Sequence, residues 1–371
     1  MEKRLIHTPE GVRDIYGKEY AKKLVVEDSL RSKLVSFGYE DIQTPTFEYF
    51  DVFSKEIGTT TSRDLYKFFD KEGDTLVLRP DFTPSVARCA AKYFCEEKVP
   101  FRLCYIGNTY SNTSNLQGKL KEVTEIGAEF IGDASVEADA EVINLVIEAL
   151  QNAGLSNFQV SIGQVEYFKG LCEEAGLDED TELALREYIS AKNYYGAEDL
   201  LMQAGVSENS RKLLLTTTDI FGNIDALKEA KEAVNNNRSK QAIERLEKLY
   251  EVLCLYGTES YVSFDLGMLS KYRYYTGIIF KAYTYGIGDA IVKGGRYDKL
   301  LEYFGKQAPA IGFAAVVDDI LEALDRQKIE IKLPAPKQVL TYTDADYAQV
   351  LTQAQSLRKN GTAVELVRKD V

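Results

Sequence analysis

Two stretches of this chain carry side chains that could do chemistry as sets. In Glu122-Val123-Thr124-Glu125-Ile126-Gly127-Ala128-Glu129-Phe130 the two-residue repeat of a β-strand puts Glu125, Gly127 and Glu129 on one face. Two carboxylates flanking a glycine suit a cationic ligand, and the residues alone leave open a second reading, a solvent-exposed face. The other stretch is FDLGMLSKYRYYTGIIFKAYTYGIGDAIVKGGRYD, residues 265–298. There Tyr274-Tyr275-Thr276-Gly277 leads into an apolar run, Ile278 to Tyr283. A Gly286-Ile287-Gly288 bend and a shorter run, Ala290-Ile291-Val292, end at Gly294-Gly295-Arg296-Tyr297-Asp298. Two strands bridged by glycine would floor a pocket. Tyrosines give a ligand a flat wall and a hydroxyl, and glycines let it approach the backbone closely. Arg296 could contact a ligand or form a structural ion pair.

Other chemistries are disfavoured. The single histidine, His7, leaves almost no room for imidazole acid–base work or histidine-held metal. Five cysteines (Cys89, Cys95, Cys104, Cys172, Cys254) with no CxxC spacing read as reduced thiols of a cytosolic protein. Lys+Arg 45 against Asp+Glu 58 gives a net charge of −13, which argues against a nucleic-acid partner unless a local basic face exists. No apolar run approaches membrane-spanning length, and MEKRLIHTPEG lacks the apolar segment of a signal peptide.

The elements that must position these sets follow from periodicity. Glu19–Phe37 reads as a helix stopped by Gly38, Tyr39–Pro45 as an edge strand, and Tyr66–Asp70 with Thr75–Arg79 as a hairpin. A helix from Ser85 to Cys95 precedes two long strands, starting at Pro100 and Lys121, and a helix over Ser135–Gln151 with Ser135 as its cap. Residues 165–256 turn strongly helical. Ala310–Val316 reads as a strand entering a helix that ends near Arg326. Beyond Pro334 and Pro336 the last 35 residues read strand–helix–strand, too short for a complete independent domain.

In this order the pieces resemble a family. Gly38-Tyr39 to Thr44-Pro45 is similar to motif 1 of class II aminoacyl-tRNA synthetases. Leu78-Arg79-Pro80-Asp81-Phe82-Thr83, the Pro100–Gly132 region, and the Tyr274-Tyr275-Thr276-Gly277 and Gly294–Asp298 signatures resemble histidyl-tRNA synthetase over residues 8–325. The resemblance implies an α+β fold, a class II synthetase-like antiparallel sheet flanked by helices. Its core would be 1–164 and 257–328, with a helical insertion over 165–256 and an anticodon-domain-like stub over 337–371. It also implies a histidine site. Asp81, Thr83 and Glu125 would hold the α-amino group, and Glu129 and Tyr275 would read the imidazole. Tyr274, Gly294, Gly295 and Arg296 complete the set.

The departures from the family matter as much. Where synthetases grip ATP and the reacting carboxylate with arginines, this chain has Ser111, Ser270 and Asp319. Each lost donor costs about 3 kcal/mol or more in the transition state, on the order of 10 kcal/mol for three if additive. A pocket survives that loss, but adenylation does not. Such a chain looks like the regulatory-subunit family of ATP phosphoribosyltransferase. That resemblance implies a cytoplasmic, non-catalytic subunit of histidine biosynthesis and its feedback control, with no cofactor or metal, no nucleic acid and no membrane. It also implies a self-dimer, histidine as effector, and a hetero-octamer with the short-form catalytic subunit. The alternatives are an active histidyl-tRNA synthetase and a free-standing histidine sensor. Arg273 or Arg79 would have to replace the cation lost at Ser270.

Overall fold

A computed structural model describes residues 6–53, 60–94, 100–113, 120–269 and 274–369. Cys95, Ser270 and Arg273 lie outside the described residues. The chain divides into two compact units, Met1–Ile331 and Lys332–Val371.

The first unit opens with α1 (Gly17–Ser36), β1 (Glu40–Asp41), β2 (Phe47–Tyr49), β3 (Lys67–Phe69), β4 (Thr75–Leu78) and α2 (Thr83–Tyr93). Then come β5 (Phe101–Tyr110), β6 (Glu122–Ile131), α3 (Val136–Asn152) and β7 (Phe158–Gln164). The helical run is α4 (Val165–Glu174), α5 (Glu179–Ser190), α6 (Tyr194–Gln203), α7 (Glu208–Thr216), the short β8 (Phe221–Gly222), α8 (Ile224–Ala233) and α9 (Asn237–Tyr256). β9 (Val262–Asp265), β10 (Ile278–Thr284), β11 (Val292–Arg296), β12 (Ala310–Val316) and α10 (Val317–Arg326) complete it. The second unit pairs β13 (Gln338–Tyr342) in parallel with β14 (Val364–Arg368) and packs α11 (Tyr347–Lys359) on them around Ala354.

Nine strands of the first unit form one sheet, ordered β1-β5-β6-β12-β11-β10-β7-β9-β8, and β2, β4 and β3 make a smaller one. The large sheet is antiparallel except where β1 meets β5 and β7 meets β9. Only Glu40–Asp41 of the expected Tyr39–Pro45 strand pairs, at the sheet edge; Pro45 has no N–H with which to continue a ladder. The expected end of the pocket's second strand also moves: β11 runs through Gly294 and Gly295 to Arg296.

One face of the large sheet is the hydrophobic core. Ile126, Ala128 and Phe130 of β6, Phe280 of β10, and Ile311, Phe313 and Ala315 of β12 point into it. α3 lies against this face and is apolar almost all round, with Val142, Ile143, Leu145, Val146, Ile147 and Leu150 buried. Full burial of each such side chain contributes about 1.5–3 kcal/mol. Ser135 starts the helix, its Oγ accepting from the Ala138 amide at 3.1 Å. Leu185, Leu201, Leu246 and Leu253 of the helical run belong to the same core.

A buried charge network joins α3 to its neighbours. Asp139 is fully buried and accepts from Arg296 Nε on β11 at 2.8 Å and from Arg245 Nε on α9 at 2.8 Å. Arg296 also donates to the Asp133 carbonyl at 3.0 Å. Deleting one partner strands the other charges away from water. Asp139→Ala is therefore expected to cost about 3–5 kcal/mol in a urea unfolding experiment. Arg31→Ala, at the exposed Arg31–Asp41 pair, is expected to leave the urea midpoint nearly unchanged, and equal losses would show the buried network to be dispensable.

Candidate functional site

The other face of the large sheet is built for close approach. Strand alternation places Gly107 of β5, Gly127 of β6, Gly312 of β12 and Gly295 of β11 on it, in four neighbouring strands. A methyl at Gly312 would come within 1.7 Å of Glu129 Oε2, and one at Gly127 within 2.3 Å of the Tyr105 hydroxyl. At Gly295 the obstruction would be the Tyr275 ring, at 2.7 Å. Missing side chains thus let Glu129, Tyr105 and Tyr275 lie flat on the sheet.

Over this floor sits a cavity of about 180 Å³. Of the residues that the resemblance singles out, Asp81, Thr83, Glu125, Tyr274, Tyr275 and Gly294 line it, together with Lys293, Tyr297 and Gly312. Asp81 is fixed just ahead of α2, where its Oδ1 accepts from the Thr83 amide at 2.9 Å. The Tyr274 ring meets Tyr275 at 4.5 Å and Tyr297 edge-on at 6.0 Å, which closes one wall.

Glu129 is 0% exposed and lies one layer beneath the cavity, behind Thr83, Tyr297 and Gly312. Its carboxyl is surrounded by hydroxyls: Thr83 Oγ1 donates to Oε1 at 2.8 Å, Tyr105 reaches Oε1 at 3.5 Å, and Tyr297 donates to Oε2. Burial holds both phenols well above their usual range, so they serve as neutral donors. Burial also pushes Glu129 up to about 8, against the pull of Tyr297 and Thr83. Glu125 is likewise pushed up to about 8, first by burial and then by the neighbouring Asp81 charge. Near neutrality this floor therefore holds protons that an approaching cation can displace.

Arg296 and Arg79 do not take the ligand positions considered for them. Arg296 falls on the helix-packed face because β11 continues through both glycines, and its guanidinium is bound to Asp139. Gly294 also has its Cα hydrogen on that side, where a methyl would strike the Phe280 ring at 2.4 Å, so it offers the cavity backbone only. Arg79 donates Nε to the Asn108 carbonyl at 2.8 Å and Nη1 to the Thr44 carbonyl at 3.0 Å. Its guanidinium stacks on Phe82 at 3.9 Å, which in turn stacks on Tyr105 at 4.3 Å. It braces the site from outside the cavity.

The sequence reading missed Tyr105, Tyr297, Gly312 and Lys293. The signal for Tyr105 was available: Leu103, Tyr105 and Gly107 alternate on β5 opposite Glu129, Gly127 and Glu125. Gly312 and Lys293 needed the strand order, since β12 and β11 reach the acidic strand only through the sheet's topology.

A larger cavity, about 1130 Å³, adjoins the first through Ala290, Lys293 and Val316. Ser111 and Asp319 line it with Asp289, Asp318, Glu322 and Asp325. Burial raises the Asp319 carboxyl, and Glu322, Asp289 and Asp318 add to the effect. Asp318 is anchored by Lys23 Nζ at 2.8 Å and by the Thr124 amide at 2.7 Å. The arginines here are already engaged, Arg13 with Glu19 and Arg326 with Glu322.

Comparison with known proteins places this geometry. A profile of the histidyl-tRNA synthetase family matches residues 11–320. An ATP phosphoribosyltransferase regulatory subunit of Acetivibrio thermocellus is 41% identical, over 97% of this chain and 86% of its own length. One of Ruminiclostridium cellulolyticum is 40% identical, over 98% and 87%. A solved structure described as an ATP phosphoribosyltransferase regulatory subunit/histidyl-tRNA synthetase, from Bacillus halodurans, superposes with a TM-score of 0.88 at 34% identity, over 98% of this chain and 93% of that one. The class II synthetase-like fold is shared with a histidyl-tRNA synthetase of Nostoc at TM-score 0.80 and 19% identity.

The raised carboxyls set a pH signature. Unfolded, Glu125 and Glu129 lose their protons near 4.5; folded, they hold them to about 8. The folded state thus binds more protons across that window, so the stability of the unligated protein falls as pH rises through it. Glu129→Gln is expected to flatten the decline of melting temperature between pH 4.5 and 8. An unchanged slope would show that Glu129 does not carry the proton.

Proposed function

We infer, from the premise that this chain belongs to the histidyl-tRNA synthetase family and within it to the ATP phosphoribosyltransferase regulatory subunits, that it is a non-catalytic subunit reporting the histidine supply to a short-form ATP phosphoribosyltransferase. It thereby serves the first step of histidine biosynthesis and its feedback control.

The observation that carries this reading is the charge of the two adjoining cavities. The smaller keeps what an amino acid needs: carboxyls at Asp81 and Glu125 for an ammonium, tyrosine walls, and a hydroxyl array on Glu129 for a polar ring. Glu129 acts in this scheme through Thr83 and Tyr297, whose hydroxyl protons it accepts, leaving their oxygens as acceptors for the ligand. The larger cavity lacks what adenylation needs. Ser111 and Asp319 stand where the family places cations, and the lining sets six acids (Glu19, Asp289, Asp318, Asp319, Glu322 and Asp325) against four cations (Arg13, Lys22, Lys293 and Arg326), a balance that repels a triphosphate. Ser270, at the third lost arginine, lies outside the described residues.

In this reading the protein is cytoplasmic and needs no cofactor, nucleic acid or membrane. No helix among the described residues is long and apolar enough to cross a membrane. It pairs with a second copy and joins the catalytic subunit in a hetero-octamer. Phe47, Tyr49 and Phe68, exposed on one face of the small sheet, offer an uncovered apolar surface for such assembly. Histidine inhibits only as far as it binds more tightly to the inactive arrangement of the complex.

Calorimetric titration with histidine near pH 7 is expected to show binding with net proton release, since an ammonium against Glu125 stabilises its carboxylate. The release is read from the dependence of the heat on buffer ionisation enthalpy. No binding at all would overturn the histidine site. A histidine-dependent ATP–pyrophosphate exchange assay is expected to give no turnover, and robust exchange would restore the synthetase reading.

A further inference from the structure

An amino acid brings a carboxylate as well as an ammonium, and the arginine that the family uses for it is absent from this sequence. Among the described residues lining the smaller cavity, Lys293 is the one cationic side chain. It stands on the ligand face of β11, two residues from Gly295, and its register row runs Lys293–Ala314–Gly127–Tyr105 across β11, β12, β6 and β5. The acidic strand β6 is thus two strands away, roughly 10 Å, with only Ala314 and Gly127 between. A flexible four-carbon stem bridges that gap. One end of the cavity is therefore acidic, the other carries an ammonium, and the floor between them is almost bare backbone.

Two further observations fit. Lys293 borders the smaller cavity, the adjoining one at Ser111 and Asp319, and a third lined by Asp265, Lys281 and Tyr283, so its side chain is common to all three linings. Its recorded partner is Asp289 Oδ2 at 3.3 Å, and both side chains are about half exposed (49% and 50%). Such a pair is weak and readily exchanged for a ligand carboxylate. The positive charge also reaches the ammonium end, where it lowers the Glu125 carboxyl against the effect of burial.

We propose that Lys293 receives the α-carboxylate of the bound amino acid and so selects an amino acid over the corresponding amine. The proposal rests on the histidine reading of this site. It supplies, from a strand of the floor, the cation that the sequence lacks at Ser270.

The test compares histidine with histamine, which differs only in lacking the carboxylate, by calorimetric titration of the full-length protein. The wild type is expected to prefer histidine. Lys293→Met is expected to weaken histidine roughly ten- to hundredfold while leaving histamine nearly unchanged, the scale of one charge-assisted hydrogen bond. Lys293→Arg is expected to recover most of the preference. If the wild type binds histidine and Lys293→Met keeps the full preference over histamine, Lys293 is not the partner and the histidine reading stands. If the wild type binds neither compound, both readings fall together. Equal weakening of both ligands by Lys293→Met would also overturn the proposal, because it would make Lys293 a support for the cavity and not a reader of the carboxylate.

Discussion

A carboxyl group taken out of water must be neutralised, protonated or saturated with donors, and Glu129 shows how this protein meets that demand. Among the described residues no cation touches it. Three hydroxyls, from α2, β5 and the turn after β11, converge on its two oxygens, and burial keeps its proton in place. That arrangement fixes the start of α2, the tilt of Tyr297 and the path of Tyr105 at once. The ligand wall is assembled around one acid that the ligand cavity itself does not expose.

The second constraint is where positive charge has been committed. Arg296 neutralises Asp139 between the sheet and α3, and Arg79 is bound to backbone carbonyls beneath the Phe82 ring. A guanidinium with its donors satisfied elsewhere is a brace and contributes little to gripping phosphate. Comparable pairs stabilise a fold and a reaction by the same electrostatics; the difference lies in whether a donor still faces open space.

Much of this was legible in the residues. The alternation of Glu125, Gly127 and Glu129 gave the acidic face, Ser135 gave the start of α3, and the tyrosine pair with its following apolar run gave the pocket wall and β10. What failed did so for a local reason. The resemblance made Arg296 a ligand contact, although the residues alone left an ion pair equally open; because β11 continues through both glycines, the two-residue repeat turns that arginine to the far face, where it forms the ion pair. Lys293 was invisible for the complementary reason. Only the order β6-β12-β11 sets it across from Gly127, between Glu125 and Glu129 on the acidic strand. Chemistry carried by one strand can be read from its repeat, whereas chemistry shared between strands waits for topology.

The bare floor has a consequence for how such a site can diverge. Gly127, Gly295 and Gly312 each leave room for a hydrogen and little else, because Tyr105, Tyr275 and Glu129 already occupy the space above them. Evolution or engineering cannot retune the ligand by decorating the sheet, since the first methyl added would dislodge a group that defines the site. New specificities must be written on the rim, at residues such as Thr83, Tyr275 and Lys293, so descendants of this scaffold would share a common basin and differ at its edge.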